Sequence, residues 1–112
     1  MGIRSEVAVA VKNNVLEAMS QEQIARWFGD CDEVLEHKEG KLFHWEGVKW
    51  YRGLDSDVDS LYEFLGQDGR ENDYLVVEAC HDYPESEDGN AGSWVDNPWD
   101  IYKFHTVGVH IS

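Results

Sequence analysis

Near the start of the chain, Ile3, Ser5, Val7, Val9 and Val11 alternate with Arg4, Glu6, Ala8, Ala10 and Lys12. A repeat of two is the side-chain period of a β-strand, so these two sets project to opposite faces of a sheet. One face carries valines. The other changes to small residues at Ala8 and Ala10, so neither face is polar at the middle of the segment. Such a strand has to be well buried, and the rest of the chain has to supply what covers it.

Helical periodicity follows at once. Asn13 and Asn14 are expected to cap a segment in which Val15, Leu16 and Met19, then Ile24, Trp27 and Phe28, keep helical spacing. Ser20 with Gln23 forms a second capping box inside that pattern, so the segment reads as one helix or as two short ones with a kink, stopped by Gly29. Residues 32–38 predict a strand, Glu39-Gly40 a turn, and residues 41–52 a stronger strand centred on LFHWEGVKWY. Together these make a hairpin, with Gly47 marking a bulge or a close backbone approach. Asp55-Ser56-Asp57 precede Val58, Leu61, Tyr62 and Leu65 at i, i+3, i+4 and i+7, an amphipathic helix ended by Gly66. Tyr74 to Cys80 reads as another buried strand. Residues 82–100 read as a long loop, punctuated by Pro84, Gly89, Asn90, Gly92, Asn97 and Pro98, and 101–111 as a final strand.

The expected fold is therefore α+β: a mostly antiparallel sheet with two helices on one face. The order is the ferredoxin-like β-α-β-β-α-β, plus a long acidic loop and a final strand. A length of 112 residues suits a single domain spanning 1–112. Such a chain buries roughly two-thirds of its unfolded surface, enough for a core without staples. Two cysteines, Cys31 and Cys80, are too few for a disulfide framework and are expected as reduced thiols in a cytoplasmic protein. Arg4 and Glu6 interrupt what would be the apolar part of a signal peptide, and no run has the length of a membrane helix.

Charge is distributed unevenly. Residues 55–100 hold fourteen Asp and Glu against Arg70 alone, which gives 1 − 14 = −13 of the total −14. The remaining nine acids and eight Lys and Arg nearly cancel. This balance excludes nucleic acid and anionic membrane as direct partners, because attraction to phosphate needs Lys and Arg.

The segments MGIRSEVAVAV, HWEGVKWY and SWVDNP, about a quarter of the chain, resemble small acidic proteins of tailed bacteriophages and prophages that open Met-Gly-x-Arg-Ser-Glu-Val. That group has no assigned activity. The resemblance implies a phage origin and action in the cytoplasm of a bacterial host.

Motifs for chemistry are sparse. His37, His44, His81, His105 and His110 lack the ligand spacing of a zinc site, and the weak cross-strand alternative is His44 with Cys80 and His105. Asp55, Asp57 and Asp59 match the start of a calcium loop. Ser60 and Gly66 then stand where Gly and Glu are required, and acids in a first helical turn are the simpler reading. No nucleophile elbow, phosphate-binding glycine loop or H-E-x-x-H is present. Lys38, Lys41, Lys49 and Arg52 lie among Glu36, Glu39 and Glu46, a pattern of cross-strand salt pairs. No metal, cofactor or catalytic residue is expected.

The segment 82–100 is different. It mixes acids with large aromatics, and Tyr and Trp are typical anchors of protein interfaces. The candidate partner-binding residues are Asp82, Tyr83, Glu85, Glu87, Asp88, Trp94, Asp96, Trp99 and Asp100. The competing reading folds Trp94 and Trp99 back over the sheet while the acids are solvated; an anchored loop satisfies both. The expectation is a non-enzymatic protein that binds a host protein, as an accessory or counter-defence factor. Its sharper form is a mimic of nucleic-acid charge that binds a nucleic-acid-binding host protein. The alternatives are a self-assembling structural or accessory protein, with a homodimer as its simplest form, and a small ligand-binding domain or enzyme.

Overall fold

The computed structural model describes residues 5–48, 56–67, 70–80, 90–92, 94, 98, 102–103 and 109–110. The described chain runs β1 (Ser5–Lys12), α1 (Asn13–Glu17), α2 (Gln21–Phe28), β2 (Glu33–His37), β3 (Gly40–Val48), α3 (Ser56–Leu65), β4 (Tyr74–Cys80), β5 (Asn90–Gly92), β6 (Tyr102–Lys103) and β7 (Val109–His110). It is an α+β structure. Five strands form one antiparallel sheet in the order β2-β3-β1-β4-β5, and β6 and β7 pair separately.

β1 lies at the centre, as its two apolar faces require. It pairs with β3 on one side (Val9↔Phe43) and with β4 on the other (Val9↔Val76), both antiparallel. Its valine face carries the larger core. Val7, Val9 and Val11 pack there with Val15, Met19, Trp27, Phe28, Phe43, Trp45, Leu61, Leu65, Tyr74 and Val76, under the helices. Phe28 stacks on Phe43 at 3.9 Å between ring centroids, and Trp27 meets Phe64 at 5.4 Å. The alanine face is thinner: Ala8 and Ala10 lie with Leu42, Val77 and Trp94.

The first helical segment is two helices. Ser20 Oγ accepts from the Gln23 N–H at 3.1 Å and Gln23 Oε1 from the Ser20 N–H at 2.8 Å, so the internal capping box divides the segment, one of the two readings the sequence left open. The described chain thus has three helices where two were expected. Asn13 and Asn14 do not cap. They sit in the first turn of α1 and donate outward, Asn13 Nδ2 to Lys38 O at 2.8 Å and Asn14 Nδ2 to Asp73 Oδ2 at 2.9 Å. Both bonds tie α1 to distant turns, which a capping role would not.

The hairpin forms between β2 and β3, with Lys38 and Glu39 as the turn and His37 opposite Gly40. Register slips between Ser5↔Val48 and Val7↔Trp45, so Glu6 faces both Glu46 and Gly47; this is the bulge that Gly47 signalled. Residues 49–55 lie outside the described residues. Within the expected loop, residues 90–92 instead form β5 on the edge of β4, through Leu75↔Gly92 and Val77↔Asn90. The expected final strand is two short ones, β6 and β7. β7 approaches both β1 and β4.

Candidate functional site

Asp57, Asp73, Glu78, Glu6, Asp30, Asp32 and Glu36 each hold a local partner. Asp57, in the first turn of α3, holds Arg26 of α2 at 2.5 Å. Asp73 takes the Asn14 amide and Lys12 Nζ, the latter at 3.5 Å. Glu78, the one acid in β4, accepts from the Tyr62 hydroxyl of α3. Glu6 pairs with His44 Nε2 at 2.6 Å across β1 and β3. Asp30 accepts from Trp45 Nε1, and Asp32 from the Glu46 N–H. Glu36 meets Lys41 at 3.4 Å, a cross-strand salt pair as the hairpin pattern implied. These carboxylates stitch helices and turns to the sheet.

The helix at Ser56–Leu65 also replaces any calcium loop: Asp57 and Asp59 lie in its first turn, where they favour the helix dipole. Among the described residues, no three His, Cys, Asp or Glu side chains gather as a metal site. His44 of the cross-strand candidate is engaged with Glu6; the Cys80 side chain and His105 lie outside the described residues. Cys31 is a free thiol. Burial pushes its pKa up, and the carboxylates of Asp30 and Asp32 add to the shift. A cleft of about 330 Å³ opens between α1, α2 and β3, lined by Asn13, Leu16, Glu17, Ile24, Lys41 and Phe43. Its lining carries a single acid, Glu17, and a single aromatic ring, Phe43.

Of the nine candidate binding residues, Trp94 is described. Its side chain is 2% exposed and covers the alanine face, against Ala8, Ala10, Leu42 and Val77. Ala8 and Ala10 leave the room that the indole fills; a larger residue at either would displace it. Lys12 Nζ lies 5.6 Å from the ring centroid, within range of a cation–π contact. The Trp94 N–H donates to Tyr74 O at 3.2 Å, which continues the attachment that β5 begins. Gly92 makes the path possible. Its φ is +82°, and a Cβ there would fall 2.3 Å from Tyr74 O and 2.8 Å from the Tyr74 ring. Asp82, Tyr83, Glu85, Glu87, Asp88, Asp96, Trp99 and Asp100 lie outside the described residues.

The segment 81–89 thus begins at the end of β4 and returns at β5, which pairs with that same strand. Residues 90–92 and Trp94 are anchored to β4 and the alanine face, with acids before and after them in the chain. The Tyr62–Glu78 and Glu6–His44 pairs escaped the sequence reading, although one signal was available: a lone acid inside an apolar strand needs a partner.

Comparison with known protein families, with curated proteins and with solved structures finds no match to this chain. No helix among the described residues is long and apolar enough to cross a membrane.

Proposed function

We propose that this chain is a non-enzymatic acidic binding protein that engages a host protein through residues 82–100. The observation that carries the reading is Trp94, fixed on the sheet within a segment whose sequence is rich in acids. The acids from Asp57 to Glu78 include Asp57, Asp73 and Glu78, which join α3, α1 and β4 through named partners. Segment 82–100 adds six acids and no Lys or Arg, beside Tyr83, Trp94 and Trp99. Trp94 gives the segment a fixed point on the sheet. Acids on both sides of such a fixed point in the chain suit a basic cleft and would speed encounter with it.

The sharper form of the proposal is mimicry of nucleic-acid charge toward a nucleic-acid-binding protein of the host, in the setting of a phage accessory or counter-defence factor. The bacterial cytoplasm is the proposed place of action. The finer fold reading belongs with it: β1, the α1–α2 pair, β2, β3, α3 and β4 follow the β-α-β-β-α-β order, and the sheet order β2-β3-β1-β4 suits a ferredoxin-like core.

The test is capture from a bacterial lysate at low and high salt. Mimicry predicts a nucleic-acid-binding partner whose recovery falls steeply as salt rises and which added nucleic acid displaces. A partner insensitive to both would overturn the charge-mimic reading.

A further inference from the structure

We propose that the chain self-associates through the outer edge of β2, as a two-fold antiparallel dimer centred on Leu35. β2 is one edge of the described sheet, and nothing among the described residues pairs with its outer side. The other edge, β5, is three residues long and carries the positive-φ Gly92, whereas β2 offers five residues. Val34 on β2, 45% exposed, is the exposed large hydrophobic residue of the described chain.

Backbone alternation fixes which groups are on offer. His37 and Gly40 close a two-residue turn, so His37, Leu35 and Glu33 use their N–H and C=O groups toward β3. Val34 and Glu36 direct theirs outward. In an antiparallel pair centred on Leu35, Val34 of one copy lies opposite Glu36 of the other, and both present outward groups. The dyad repeats the pair, so the backbones can exchange four hydrogen bonds.

The side chains favour that register. Residues 32–38 read Asp-Glu-Val-Leu-Glu-His-Lys, acidic at one end and basic at the other. About Leu35, Glu33 opposes His37 of the second copy, while Leu35 meets itself; Asp32, just before the strand, is engaged within its own chain by the Glu46 N–H. Centring on Val34 would set Glu36 against Asp32, and centring on Glu36 would set Glu36 against itself. Like charges directly opposite destabilise a strand pair. The edge is therefore self-complementary in one register, and the occupant it fits is a second copy of this chain.

Sedimentation equilibrium at about 0.15 M salt, where distant charges are screened, tests the proposal. The expected result is a concentration-dependent rise from the monomer mass of 12.9 kDa toward twice that value. His37→Glu sets like charges opposite one another twice per dimer, and Glu33→Arg removes the acid that faces His37 of the second copy. Each should weaken association by about tenfold, and the double variant should restore it. Both positions are exposed, and because His37→Glu removes the Nδ1 that accepts from the Glu39 N–H in the turn, circular dichroism of each variant checks that the monomer fold is retained. Glu33→Arg also lowers the overall negative charge, so a purely global charge effect predicts tighter association for that variant. A monomer at every concentration up to about 1 mM overturns the proposal. So does a dimer that neither variant weakens.

Discussion

Replacing Trp94 with Ala is the most informative perturbation of the fold, because its indole lies over the alanine face. A tryptophan of this burial removes about 200 Å² from water, and at about 25 cal/mol per Å² that is about 5 kcal/mol. This is an upper figure, since the unfolded chain already hides part of that surface. The segment 90–94 can also settle toward Ala8 and Ala10 and fill part of the space. We expect a loss of about 3–4 kcal/mol, within the range of buried Trp→Ala changes. Against a total stability of about 5–15 kcal/mol, the variant folds but with a much smaller margin. Trp94→Phe keeps most of the cover and should lose about half as much. Urea unfolding followed by circular dichroism measures both. Amide exchange gives the local counterpart: β5 is three residues long, so without the indole the amides of residues 90–94 should exchange faster by about two orders of magnitude. The reasoning is refuted if Trp94→Ala loses less than about 1 kcal/mol and leaves exchange at 90–94 unchanged.

Further outcomes follow from the same geometry. Ser20→Ala removes the capping box at the start of α2 and should lower stability by about 1 kcal/mol in urea unfolding, with Ser20→Gly losing less. Gly40→Ala should cost about 2–3 kcal/mol, because a Cβ there would lie 2.1 Å from Val11 O and force β1 and β3 apart; a neutral result would mean that the strand pair has slack. With Cys80 replaced by Ser, the Cys31 thiol should react with a disulfide reagent more slowly at pH 8 than a free cysteine does. Burial first, then Asp30 and Asp32, raise its pKa, so the neutral thiol is favoured and reactivity should climb only at higher pH. The same shift adds stability below the ordinary thiol range and loses it as pH rises through the folded value, so the Cys31→Ser variant should lose less stability at high pH.

Much of the sheet was legible because period and chemistry agreed. The Val/Ala alternation of β1 required two covered faces, and both are covered. Val58, Leu61, Tyr62 and Leu65 set out α3 in the same way, and Ser20 with Gln23 marked the break between α1 and α2. The misses fall where a residue type serves two structures. Gly89, Asn90 and Gly92 are turn residues, yet 90–92 pair with β4; a three-residue strand is decided by its partner rather than by its own propensity. Asn13 and Asn14 have the chemistry of caps, but their amides are donors, and distant acceptors claimed them. Trp94 suited an interface anchor and a core cover equally well in the sequence. Ala8 and Ala10 held the deciding information, because a sheet face of alanines needs a large side chain from elsewhere in the chain.

The central claim is that the acids of 82–100 do the binding, rather than the overall charge of −14. Two variants with equal net charge separate these. One neutralises Asp82, Glu85, Glu87, Asp88, Asp96 and Asp100 to their amides. The other neutralises the exposed Glu17, Glu22, Glu39, Glu46, Glu63 and Glu71. Quantitative capture from one bacterial lysate, run in parallel with the unaltered chain, is the measurement. Binding through 82–100 predicts that the first variant loses the partner and the second keeps it; equal loss in both, or retention by the first, contradicts it.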